Sequence, residues 1–225
     1  MHHIMDQLLA QVTAKAAQAK IVGITVGSHW TLVVIEDHDG IHGGLASALE
    51  EQSDHHHGSE PPVKDAGNLL DYPLIDLLNL SLSDHMTEVS IGFATLNALL
   101  DVDLGLCREV NALDIILEHG TGRDVAVVGH FPFTPRLKQS AKNLWVLERN
   151  PKGNDLPASE APNILPRADV VAITGTSIAN GTFDALIAHC RPDAFVVVLG
   201  ATTPLSPVLL DAGVHAVSGT LVVDT

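Results

Sequence analysis

The chain has 225 residues, with 12 Lys and Arg against 27 Asp and Glu, for a formal net charge of −15 at pH 7. Hydrophobic residues make up 46% and charged residues 17%, a balance that belongs to folded chains and excludes extended disorder. The charge repels phosphate backbones and anionic bilayers, the cations are scattered apart from short clusters such as Arg136 and Lys138, and only 4% of residues are aromatic, so neither nucleic acid nor a membrane surface is an expected partner.

No apolar stretch approaches the roughly 20 residues that a membrane helix needs. Near Met1 no cationic segment precedes an apolar one, so no signal peptide is expected and the location read from the sequence is cytoplasmic. Cys107 and Cys190 lie far apart and outside any CxxC. That count excludes a disulfide framework and a cysteine zinc site, and leaves buried, reduced thiols as the expected state.

Taken in chain order, Ile4, Leu8, Leu9, Val12 and Ala16 recur at helical spacing and predict a helix over Ile4 to Lys20. Branched runs at 21–28 and 30–35, with a third short one at 41–46, predict an antiparallel meander, with a turn at 36–40. Residues 50–68 are polar and contain Pro61 and Pro62, so a mobile loop carrying His55, His56 and His57 is expected. Consecutive histidines in such a loop bind divalent metals adventitiously; a defined site needs ligands fixed in geometry. Helices are predicted at 73–80, at 83–100 with Ser83 as N-cap, and at 108–117.

From Asp124 the period changes. Short apolar runs at 125–129, 144–147, 170–174, 195–199 and, less clearly, 216–223 have the composition of doubly covered parallel strands. The segments between them (135–141, 158–165, 181–190 and 204–210) are long enough for helices. The fold class read from this pattern is α/β: an α+β N-terminal half and a Rossmann-like open parallel sheet in the C-terminal half. The domain boundaries fall at 1–105 and 123–225, with a connecting helix and linker at 106–122.

Ligands of open parallel sheets lie beyond the carboxyl ends of the strands. The first strand is followed by Gly129, His130, Phe131 and Pro132, and the second by Glu148 and Arg149. Thr174, Gly175, Thr176, Asn180 and Thr182 follow the third; Gly200, Thr202, Thr203 and Pro204 follow the fourth. Gly129 lets the backbone approach a ligand closely. The hydroxyls and N–H groups around Thr174 to Ser177 offer a place for an anion or carboxylate. Glu148 stands where a dinucleotide site places its ribose-binding acid, and equally could form a surface pair with Arg149. His130 is a candidate metal ligand, general base or anion partner. The G-x-G-x-x-G fingerprint is absent, because His130 and Phe131 follow Gly129, which weakens ordinary NAD binding. No serine-hydrolase elbow and no P-loop is present.

These loops, together with Leu147-Glu148, Leu156-Pro157 and Ala168-Asp169, resemble the "putative heavy-metal chelation" domain family. The segments 23–27, 30–31, 43–46 and 92–98 are similar to its N-terminal companion, which resembles the enolase N-terminal fold. The resemblance covers nearly the whole chain. It implies an enolase N-terminal-like α+β domain followed by a Rossmann-like domain, with Gly44, Leu45 and Asn97 facing Gly129, His130, Glu148, Thr176, Asn180 and Thr203 across a shared cleft. Two departures stand out: Ala201 replaces the family's proline in the fourth loop, and the chain stops soon after the last strand.

The leading reading is a protein of metal homeostasis that binds a metal, a metal chelate or a small anionic ligand in that cleft, with His130 as the metal ligand. The alternative is an enzyme or sensor that binds a nucleotide-like cofactor, NAD or S-adenosylmethionine, at the same place. A homodimer is compatible with the apolar content and the few cations.

Overall fold

The computed structural model describes residues 4–49 and 61–224. The histidine runs at 2–3 and 55–57 lie outside the described residues. The chain divides into two compact units. The first holds residues up to Asp101, with Ala201–Leu205 and the segment from Gly219; the second holds Val102–Gly200 and Ser206–Ser218.

In the first unit, helix α1 (Ile4–Ala16) buries Ile4, Met5, Leu8, Val12 and Ala16, the stripe set by its spacing. Strands β1 (Lys20–Val26), β2 (Trp30–Asp37) and β3 (Gly40–Ser47) form the expected antiparallel meander in the order β1-β2-β3. Alternation on β2 sends Thr31, Val33 and Ile35 inward. Helix α2 (Leu74–Asn79) precedes α3 (Met86–Leu99), which is buried over most of its circumference. A helix apolar all round is a core helix, and α3 packs against β2, β3, α1 and α2.

Helix α3 begins at Met86, not at the predicted Ser83 cap. The Ser83 hydroxyl instead donates to Glu88 Oε2 and accepts from His85 N, while Lys64 N donates to Glu88 Oε1. The buried Glu88 is thereby satisfied, and Ser83 anchors the approach to the helix rather than its first turn.

In the second unit, α4 (Ala112–Gly120) starts four residues later than predicted, because Asn111 accepts from Leu113 N and caps it there. Then follow β4 (Asp124–Val128), α5 (Thr134–Ser140), β5 (Asn143–Glu148) and β6 (Leu156–Pro157). The predicted helix at 158–165 is broken into a 3₁₀ turn, the single turn α6 (Ala161–Ile164) and a second 3₁₀ turn, each of the last two carrying a proline near its start. Next come β7 (Val170–Thr174), the short α7 (Thr176–Ala179), α8 (Phe183–His189), β8 (Phe195–Leu199), α9 (Pro207–Asp211) and β9 (Ala216–Ser218).

All six strands pair in parallel, in the order β6-β5-β4-β7-β8-β9. This is the doubly wound order, in which the chain leaves the first strand to one side and then returns to the other, so direction reverses between β4 and β7. Leu113, Ile116, Val125, Val127, Val170, Ala172 and Val197 fill the core on one sheet face. The two-residue edge strand β6 was not foreseen, since two residues carry no period.

Two predicted elements late in the chain are cut short where residues join the first unit. Helix 204–210 begins only at Pro207, capped by the Ser206 hydroxyl, because residues 201–205 belong to the first unit. Strand 216–223 stops at Ser218 for the same reason, as the chain beyond it joins the first unit. Among the described residues no helix is long and apolar enough to cross a membrane.

Candidate functional site

The carboxyl ends of β4, β5 and β7 open into a pocket of about 610 Å³, a volume ordinary for small-molecule sites. Val128, Leu147, Ala158, Ala161, Pro162, Ala185 and Leu186 give it apolar walls. Its polar lining is Gly129, His130, Glu148, Arg149, Ser159, Thr174, Thr176, Ser177, Asn180, Thr182 and His189. Every lining residue belongs to the second unit.

The sheet places the polar groups. Glu148 is the last residue of β5, and one of its oxygens accepts from Arg149 N at 3.1 Å. No ion pair joins Glu148 to a cation among the described residues, so the surface-pair reading does not describe it. Thr174 ends β7, and its hydroxyl lies 3.0 Å from that of Thr176. Asn180 Oδ1 accepts from both the N–H and the hydroxyl of Thr182, at 3.2 and 2.7 Å.

Gly129 has φ +104°, and a Cβ there would lie 3.1 Å from Thr174 Cβ. Alanine at this position meets both a disfavoured backbone angle and a neighbouring strand. Gly129→Ala is expected to cost about 1–3 kcal/mol in urea unfolding.

His130 is largely exposed, and its Nδ1 lies 3.4 Å from Asp155 Oδ2. Together with Glu148, Asn150 and Lys152, this pair lines a smaller hollow. Phe131 and Pro132 do not line the main pocket: Phe131 stacks on Phe133 with ring centroids 5.0 Å apart and packs against the core, while Pro132 points to solvent. Gly175 and Gly200 also stand outside the lining, where their N–H groups extend the sheet ladder to Leu199 O and Ser218 O. Ser159, Ala185, Leu186 and His189 are among the lining residues that sequence reading missed. Helical spacing identifies α8, but not which of its faces meets a pocket.

The remaining predicted residues sit in the first unit. Gly44 is packed against the α3 backbone, so its missing side chain serves strand-on-helix contact. Asn97 Nδ2 donates to Leu45 O at 2.8 Å and reaches Ala201 O at 3.5 Å. The Thr202 hydroxyl accepts from Ser47 N at 2.9 Å. Thr203 and Pro204 are buried in the same segment. Within this unit Gly44, Asn97 and Thr202 hold strand, helix and returning segment together.

A bare heavy-metal ion does not fit the pocket. Soft metals call for thiolate or several imidazoles in fixed geometry. Burial pushes the Cys190 thiol up to about 11, which keeps it protonated, and Cys107 is exposed on the surface. Among the described residues, the one convergence of three metal-ligating side chains is Asp37, His38 and Asp39, in the β2–β3 turn of the first unit. There Asp37 is already engaged by Lys15, His42 and Asp39 N.

Two family models, both described as "Putative heavy-metal chelation", match residues 9–100 and 111–225. The second, DUF364, covers more than half of the chain. The chain belongs to the DUF364 family. Its relatives include the uncharacterized protein MJ0500 of Methanocaldococcus jannaschii, 23% identical over 231 residues, which span all of this chain and 87% of that protein. Two DUF364 proteins of unknown function have crystal structures that share its fold. The one from Desulfitobacterium hafniense superposes with a TM-score of 0.74 at 25% identity, covering 97% of this chain and 86% of the other. The one from Pyrococcus horikoshii gives 0.73 at 23%, covering 92% and 82%. The mixed α/β architecture, a parallel six-stranded sheet with a small antiparallel one, is thus shared within DUF364.

Proposed function

We propose that the second unit binds a small organic ligand with adjacent hydroxyls, a ribosyl compound by class. On this reading, a heavy metal handled by the protein arrives held by an organic chelator and not by protein side chains. Glu148 carries the proposal. It closes β5, next to the reversal of strand order, and lies 19 residues beyond the glycine that follows β4. Doubly wound sheets place a ribose-binding acid at that point, about 20 residues on. The hydroxyl-lined pocket with apolar walls supports the same class, as does the lack of a three-ligand metal cluster in it among the described residues.

Residues 130 and 131 are too bulky for a pyrophosphate cradle, so a nucleoside without a diphosphate, of the S-adenosylmethionine type, is favoured over NAD. No hydroxyl or thiol of the pocket bonds a histidine or carboxylate among the described residues, and no reaction is assigned.

Titration calorimetry with S-adenosylmethionine, adenosine and NAD tests this reading. Binding is expected for the first two, unchanged by a metal chelator. Glu148→Gln should weaken it about 10- to 100-fold, the effect of a hydrogen bond to a charged group. Binding that requires added divalent metal, or that ignores Glu148→Gln, would sink the reading.

A further inference from the structure

The β7 end of the pocket presents hydrogen-bond donors with nothing to receive them. Ser177 is 1% exposed and lines the pocket, yet its hydroxyl has no partner among the described residues. Such groups are rare in folded proteins and call for an explanation. The facing oxygens of Thr174 and Thr176 share one proton, so whichever donates, the other hydroxyl proton is left over. Asn180 is oriented by its neighbour: the Thr182 N–H donates to Ser177 O at 2.9 Å and also to Asn180 Oδ1 at 3.2 Å, the Thr182 hydroxyl donates to the same Oδ1, and the amide Nδ2 is turned away with no partner among the described residues. Three donors therefore belong to residues of the β7 end that line the pocket, and His189 of α8 lines it too.

Glu148, at the other end, can only accept. The two ends are carried by β5 and β7, with β4 between them, hence on the order of 10 Å apart at ordinary strand spacing. We infer that Ser177, Thr176 and Asn180 bind a carboxylate on the ligand, so that the pocket takes a ribosyl compound with a carboxylate arm in preference to a bare nucleoside. This rests on the ribosyl reading of Glu148 given above. Ser177 and Asn180 then set specificity for the acidic arm, while Glu148 holds the sugar.

The test uses two probes that share the ribose and differ in the arm: S-adenosylhomocysteine, which has the carboxylate, and adenosine, which lacks it. Asn180→Asp keeps both acceptor contacts to Thr182 but removes the amide donors and adds a like charge. It should weaken S-adenosylhomocysteine about 100-fold, with adenosine within about twofold of the unchanged protein. Ser177→Ala should weaken S-adenosylhomocysteine on the order of tenfold and leave adenosine alone. Because it removes a buried hydroxyl without a partner, it should not lower the melting temperature, which separates a ligand contact from a structural one.

If both variants bind S-adenosylhomocysteine as tightly as the parent, or lose both probes equally, the carboxylate assignment is overturned. The ribosyl reading survives that result provided Glu148→Gln still weakens both. If the parent protein binds neither probe, both fall together.

Discussion

Gly44→Ala is expected to destabilise the first unit by at least about 4 kcal/mol, the range reserved for overlap that a core cannot relax. Strand β3 crosses α3 backbone to backbone at this point. A Cβ on Gly44 would lie 2.0 Å from Ala94 O and 2.2 Å from Ala98 N. Both are main-chain atoms of a helix buried on most sides, so no rotamer change can open the space. Ala94 and Ala98 are themselves small and buried, so the approach is shaped from both elements. Urea unfolding followed by hydrogen exchange can localise the loss. Protection should fall first in β3 and α3 and persist in β4 and β7. A midpoint within about 0.5 kcal/mol of the parent, the range of ordinary surface substitutions, would refute the packing described.

Asp37→Asn should cost about 2–3 kcal/mol, the range for hydrogen bonds to a charged group. Asp37 ends β2 with its carboxylate almost wholly covered. Burial by itself would push its acidity toward the neutral form. The Asp39 N–H at 2.8 Å, His42 Nε2 at 3.0 Å and Lys15 Nζ at 3.3 Å outweigh that and hold it at about 2. Asparagine keeps an acceptor for the Asp39 N–H, so the turn survives, but loses the charge that His42 and Lys15 face. Lys15 retains Asp101 and is not left alone.

The pH dependence follows from the direction of the shift. A carboxylate whose folded value lies below its unfolded value contributes stability that is complete above about pH 4 and disappears as pH falls toward 2. The difference in stability between the parent and Asp37→Asn should therefore shrink as pH falls through that window. A constant difference down to pH 2 would mean that the charge of Asp37 is not what stabilises the hairpin.

Much of this architecture is local in origin and so legible in order along the chain. The stripe of α1, the branched meander and the apolar runs at 170–174 and 195–199 each bury a face whose period is written in consecutive residues. The place of Glu148 at a strand end and the bulky residues after Gly129 were equally visible, because each depends on one strand and the loop that follows it. Local reading failed where a neighbour in space overrode propensity. Ser83 has the chemistry of an N-cap but is claimed by Glu88, and residues 204–205 have the composition to start a helix but serve the first unit.

What the sequence by itself determined is the kind of each main element and the chemistry available at the strand ends, since both follow from short-range spacing and residue type. Only the tertiary structure decided the strand order, the return of 201–205 and of the chain beyond Ser218 to the first unit, and the packing role of Gly44. It alone showed that Ser177 and Asn180 are left with donors facing one pocket, since whether a hydroxyl or amide has a partner depends on atoms brought close in space and not on its neighbours along the chain.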